Sequence, residues 1–281
     1  MIKKEDSDAD CKEDENEEDA EQRERQLSFG GTLDRFIHPS SCPSPTTSSS
    51  SSSTEVAKER KLRSRQTLRY APPSQYSHIS SVEPILAPDL DCIFIGINPG
   101  IATGTSQHMF AHHSNHFWKL LFRSGVLPRA LSAADDKDLP RLFNLGIANL
   151  VARVTRSESE LSREEMVIRV PLLESTLIPL RPALLCVVGK SIWEAIYRFK
   201  CGRPLSSSQP PFEFGWQDSC PFHFAEDTST SDAGKRWRPR VLVMPSTSGR
   251  VIDTKGLRLS LLRDLAAELN KVRAAKAAQS I

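Results

Sequence analysis

The chain has 281 residues, 38% of them hydrophobic and 26% charged, the size of one large domain or two small ones. Its net charge of +2 conceals a split: Met1 to Arg25 holds 12 acidic against 5 basic residues, and the other 256 carry 32 basic against 23 acidic, which favours anionic partners. No apolar run is long enough to span a membrane, and the acidic start lacks the apolar core of a secretory signal.

Residues 1–80 read as a disordered tail. An acidic run from Glu13 to Glu21 leads through Pro39, Pro43 and Pro45 into six serines, Ser48 to Ser53, with too little apolar surface to offset the entropy of ordering. Within it, Thr32-Leu33-Asp34-Arg35-Phe36-Ile37 resembles the peptide that docks on sliding clamps through Leu33, Phe36 and Ile37, although Gly30 stands where that peptide has Gln. Lys58 to Arg69 holds 6 basic residues against 1 acidic: a nuclear-import signal, an arm for phosphates or a solvated segment.

Folded sequence is expected from about Pro84, in a domain placed at 81–281. Asp91 to Asn98 is a short apolar run ending in Pro-Gly, hence a buried strand and a tight turn. Asn115 to Ser124 predicts a helix with Phe117, Leu120, Leu121 and Ser124 on one face, closed by Gly125. Phe143 to Val151 is a further apolar stretch. Ser162 to Glu165 is a capping box opening a helix to about Leu177. Leu184 to Val188 predicts a second buried strand, Ser191 to Phe199 a helix, and Val241 to Met244 a third strand stopped by Pro245. Leu257 to Lys276 is an amphipathic helix with Leu261, Leu262, Leu265, Leu269 and Val272 as its apolar stripe. Apolar strands alternating with helices imply a parallel sheet covered on both faces, with ligands at the carboxyl ends of the strands. That rule points to Asn98, the loop near Gly189, and Ser246. Residues 201–236, rich in Pro, Ser and Gly, read as an inserted loop.

Several familiar chemistries are poorly served. The 6 cysteines form no C-x-x-C pair and no compact group of four, so zinc knuckles and iron–sulfur clusters do not fit, and reduced thiols in a cytosolic or nuclear protein are expected. Gly189-Lys190-Ser191 lacks the Gly that a nucleotide-binding loop needs at position 184, which is Leu; the helix start remains a possible seat for one phosphate or an ordinary turn. His108, His112, His113 and His116 have helical metal spacing but no Cys or carboxylate among them. No G-x-S-x-G elbow supports a serine hydrolase.

The most specific segment is Gly96-Ile97-Asn98-Pro99-Gly100, followed by Phe110-Ala111-His112 and Asn115-His116-Phe117-Trp118-Lys119. It sets a carboxamide at the top of a strand and an aromatic ring in the next loop; read alone, such an Asn can simply bond its own turn. With Met244-Pro245-Ser246-Thr247-Ser248-Gly249-Arg250, it closely resembles the mismatch-specific uracil/thymine DNA glycosylases over about residues 85–270. Asn149 in Ala148-Asn149-Leu150-Val151 falls at their pyrimidine-reading position, and Phe212-Glu213-Phe214-Gly215 is similar to their F-G element. Phe110 stands where animal members have Tyr, and Gly249 before the wedge Arg is expected to loosen that loop.

The resemblance implies a three-layer α/β/α domain around a mainly parallel sheet of four to five strands. It implies a monomeric, monofunctional enzyme of base excision repair in the nucleus, acting on double-stranded DNA with G·U or G·T mismatches and hydrolysing the N-glycosidic bond of uracil, thymine or damaged pyrimidines opposite guanine to leave an abasic site. Arg250 would fill the gap left by the everted nucleotide, while Ser246, Ser248 and Lys190 hold phosphates. Phe110 would stack on the base, and Asn149, Ser246 and the Ile97 backbone would line its pocket. Asn98 would aim water at C1′. Water as nucleophile requires neither metal nor cofactor, and an amide cannot act as a titrating base, so slow chemistry is expected. A non-catalytic DNA-binding or clamp-associated scaffold is the alternative.

Overall fold

Five apolar runs pair into one sheet, as a computed structural model of residues 70–208, 210–218, 238–253 and 255–279 shows. The tail segments, including Leu33, Phe36, Ile37 and the basic run 58–69, lie outside the described residues. In chain order come β1 (Cys92–Gly96), α1 (Ile101–Ser106), α2 (Phe117–Ser124), α3 (Leu139–Phe143), β2 (Leu145–Asn149), α4 (Arg163–Leu177), β3 (Leu184–Val188), α5 (Lys190–Cys201), β4 (Gly215–Trp216), β5 (Arg240–Met244) and α6 (Leu257–Gln279). The sheet order is β2-β1-β3-β5-β4, parallel except for the antiparallel edge strand β4.

Alternate strand residues feed two cores. Cys92, Phe94, Leu145, Ile147, Cys186 and Leu242 pack against α2 and α6, whose Leu261, Leu262, Leu265 and Leu269 are buried as their spacing predicts. Ile93, Ile95, Leu185, Val187 and Val243 pack against α4 and α5. Both faces are thus dry, which is why the strands read as continuous apolar runs. Asp91, buried just before β1, accepts from Asn144 (2.8 Å), Arg273 (3.1 Å) and Lys276 (2.7 Å), tying α6 to the amino end of the sheet. Among the described residues no helix is long and apolar enough to cross a membrane.

Three expectations change. The fold starts earlier than residue 81: Ala71 is buried and its N–H donates to Glu160 O (3.1 Å), Tyr76 Oη donates to Glu160 (3.3 Å), and Val82 joins the core. The expected insertion 201–236 is partly fold, because Leu205 is buried and Gly215–Trp216 pairs with Val243 and Leu242; residues 219–237 lie outside the described residues. The capping box is half made. Ser162 Oγ accepts from Glu165 N–H (3.0 Å), but the Glu165 carboxylate turns to the Arg153 guanidinium (2.8 Å) instead of reaching back.

The connection leaving β1 runs to β2 on one side, and the connection leaving β3 runs through α5 toward β5 on the other. β1 and β3 are neighbours, so their carboxyl ends flank a topological switch point, where such sheets hold ligands.

Candidate active site

Asn98 lies at this switch point, two residues past the end of β1 and half-buried. Its Nδ2 donates to Thr155 Oγ1 (2.8 Å), Arg153 O (3.0 Å) and Pro99 O (3.2 Å). Thr155 Oγ1 itself donates to Ser157 O (3.0 Å), so its lone pair must receive Asn98. This chain of bonds decides which end of the amide is which: Nδ2 faces the 153–157 loop, and Oδ1 bonds to no described residue. The acceptor loop is in turn pinned by the ion pair of Arg153 with Glu165 and by Thr155 N–H on Pro99 O (3.2 Å). Hydrogen bonding to Glu165 raises the pKa of the Arg153 guanidinium above its ordinary value. None of Thr155, Arg153 or Glu165 is among the residues expected from sequence; only the half-used capping box hinted at Glu165.

Beside Asn98 the site has a floor and a wall. The backbone pairing of β1 with β2 continues as Leu150 N–H to Gly96 O and Val151 N–H to Ile97 O (both 2.9 Å). The Ile97 carbonyl is therefore occupied. A Cβ on Gly96 would lie 2.6 Å from Asn149 Oδ1 and 3.4 Å from Phe110 Cζ, so the missing side chain is what lets those two groups meet over the strand end. Asn149 is half-buried, with Nδ2 on Met109 Sδ (3.5 Å).

Phe110 is half-buried in a left-handed conformation (φ 55°), and its ring stacks on Phe117 with centroids 3.9 Å apart. It is a braced wall rather than a free loop residue. Such a φ is costly for an aromatic residue and persists only where neighbours enforce it. Here they do: Met109 N–H donates to Asp136 Oδ2 (2.7 Å) and Met109 O accepts from Trp118 Nε1 (3.1 Å). Asp136 is fully buried and its other oxygen meets His108 Nδ1 (3.0 Å). The four histidines do not converge. His112 stacks on His113 and its Nδ1 meets Ser114 Oγ (2.9 Å), while His116 N–H donates to Thr247 O (2.9 Å).

That last bond docks the second motif, after β5, onto the first. Ser246 Oγ accepts from Ser248 N–H and Ser248 Oγ from Arg250 N–H (both 3.3 Å), so two hydroxyl turns shape the loop while each O–H can still donate outward. Gly249 does not loosen it, contrary to expectation. A Cβ there would lie 2.5 Å from Ser114 O, so glycine permits close backbone packing against the 112–116 loop. Arg250 is exposed, and its guanidinium pairs with no described residue. Gly189 N–H donates to Met244 O (2.9 Å), placing the start of α5 beside this loop. Lys190 there is exposed, 3.6 Å from Glu194 and over the Phe212 ring, a pair weak enough in water to be released to a phosphate.

Asn98, Ile97, Phe110 and Asn149 thus meet at one end of the sheet, with Ser246, Ser248, Arg250 and Lys190 on the adjoining loops. The fold and site define a doubly wound α/β protein that offers a ligand an oriented amide oxygen, a second amide, an aromatic face and a hydroxyl-lined cationic loop. Residues 83–270, well over half of the chain, match the uracil DNA glycosylase superfamily, and the chain belongs to that family. Over 149 residues it is 38% identical to a G/U mismatch-specific uracil DNA glycosylase of Schizosaccharomyces pombe. That alignment takes in 49% of this chain and 45% of the relative, so the chain spans about half of that protein's length. A solution NMR structure of a candidate uracil DNA glycosylase from Methanosarcina acetivorans is 14% identical, covering 68% of this chain and 98% of that one with a TM-score of 0.44.

Proposed function

We propose that this protein is a monofunctional DNA glycosylase that hydrolyses the N-glycosidic bond of uracil, and more slowly of thymine, mispaired with guanine in double-stranded DNA. The observation that carries the reading is the committed amide of Asn98, with Nδ2 spent on Thr155 and Arg153 and Oδ1 bonded to no described residue, at the strand end where Asn149 and Phe110 meet over Gly96. A base inside a duplex is out of reach, so the nucleotide must be everted onto this strand-end site. Its ring stacks on the face of Phe110 turned away from Phe117. The Asn149 amide and the Ile97 N–H meet its polar edge, both able to serve a carbonyl and Asn149 able to serve a ring N–H as well. Oδ1 of Asn98 accepts a hydrogen bond from a water below C1′. That water's oxygen bonds to C1′ as the C1′–N1 bond breaks, the base departs with the bonding electrons, and the water's second proton is lost to solvent.

An amide gathers no proton at neutral pH, so the rate rests on orientation and on the stability of the departing anion. Uracil is therefore the favoured substrate over thymine, in keeping with the name of the S. pombe relative. Arg250 fills the vacated stack, and Ser246, Ser248 and Lys190 hold flanking phosphates without reading sequence. The protein acts as a monomer in the nucleus, with the basic run 58–69 as address and Leu33, Phe36 and Ile37 as a clamp contact, and uses no metal or cofactor. The test is a labelled duplex with one G·U mismatch, incubated with the purified chain and then with alkali. Strand scission at the uracil is expected, with none before alkali. An intact strand after prolonged incubation with enzyme in excess would overturn the proposal.

A further inference from the structure

Ile252 has the most exposed side chain (84%) among the large apolar residues described, and it stands two residues from Arg250. Lone exposed apolar side chains are ordinary and need no explanation. This one differs in how firmly it is held out. On its amino side, Val251 N–H donates to Ser248 O (3.1 Å) and Gly249 packs against Ser114. Arg258, buried at the start of α6, donates its Nη2 to Val251 O. On its carboxyl side, the Asp253 carboxylate accepts from Leu257 N–H (2.9 Å) and Arg258 N–H (3.4 Å), fixing the loop to the helix. Hydrogen bonds on both flanks thus hold the loop with Ile252 turned outward.

The same loop tip therefore presents a guanidinium that pairs with no described residue, a half-exposed Val251 and a bare isoleucine. Proteins that deform the minor groove use this pairing of types: a cation in the groove and an apolar wedge at a base step. We infer that Ile252 is a second DNA-inserting side chain, pressing into the base-pair step next to the everted nucleotide while Arg250 occupies the gap itself. The inference rests on the proposed action on duplex DNA, and the occupant it names is the stacked face of a base pair in a double helix.

The test uses a duplex with an uncleavable uracil analogue opposite guanine and 2-aminopurine in the adjoining pair, whose fluorescence rises when it unstacks. The full chain and Ile252→Leu should raise the signal alike. Ile252→Ser, at a residue that is 84% exposed and so adds little to folding, should lose most of the rise. It should also release uracil from a G·U duplex about tenfold more slowly at subsaturating enzyme, the scale of leaving one isoleucine unburied, and keep its rate on single strands. Parental signal and duplex rate in Ile252→Ser would overturn the inference, as would equal losses on single and double strands. A parental chain that releases no uracil from either substrate would instead sink the functional reading beneath it.

Discussion

Thr155→Val isolates the contact that orients Asn98, because valine keeps the shape of a side chain in a residue that is 1% exposed and deletes only the hydroxyl. Two hydrogen bonds go, from Asn98 Nδ2 (2.8 Å) and to Ser157 O (3.0 Å). At about 0.5–1.5 kcal/mol net each, the fold should lose about 1–3 kcal/mol, within what a domain of this size survives. The kinetic effect has two possible sources of very different size. Random flipping of the amide would leave half of the molecules correctly oriented and cost only about twofold. Loss of position costs more, since a displacement of about 1 Å at a reacting centre can reduce a rate about hundredfold. Asn98 keeps Arg153 O and Pro99 O, so the expected fall in single-turnover uracil release lies between about tenfold and hundredfold. Binding of a duplex with an uncleavable uracil analogue should change by less than about twofold, and Thr155→Ser should restore the rate. A Thr155→Val protein that is folded and releases uracil within about threefold of the parent would refute the orienting role, and so would a loss shared equally by binding and release.

Other expectations follow from particular atoms. Gly96→Ala places a methyl 2.6 Å from Asn149 Oδ1, which should displace that amide and slow single-turnover uracil release about tenfold to hundredfold with little change in melting temperature; parental release would mean the ligand does not rest there. Gly249→Ala forces a carbon within 2.5 Å of the Ser114 carbonyl, so duplex affinity should fall while release from single strands persists, as gel-shift and single-strand assays can separate. Burial pushes the Cys92 and Cys186 thiols well up, with Cys186 and Asp91 adding to the effect at Cys92, whereas Cys201 is exposed. Peptide mapping after alkylation at neutral pH should find Cys201 modified in the native protein and the other two only in denaturant.

The sequence made the frame legible wherever periodicity or punctuation carried it. Continuous apolar runs marked β1, β3 and β5, Gly125 and Pro245 marked ends, and the leucine stripe marked α6. Three short elements escaped because they have no period to read: β4 is only two residues long, α1 follows the Pro-Gly turn as a single short helix, and α3 is a single turn of five residues. Likewise the segment 71–82 looked too polar for a folded start, yet it is held by backbone bonds and a few apolar contacts. At the site, motif residues showed which groups were candidates but not what holds them. Thr155 lies 57 residues from Asn98, and Asp136 lies 27 from Met109; such pairings are properties of the folded topology. Gly249 was misread for the same reason, since flexibility is local and legible while its contact with Ser114 is neither.

The proposed chemistry turns on the carboxamide just past the end of β1, and Asn98→Ala tests it most directly. With enzyme in excess over a G·U duplex, that variant should release no uracil on the timescale of the parent, while binding the duplex as tightly as the parent does. Release at the parental rate from a folded Asn98→Ala protein would contradict the account.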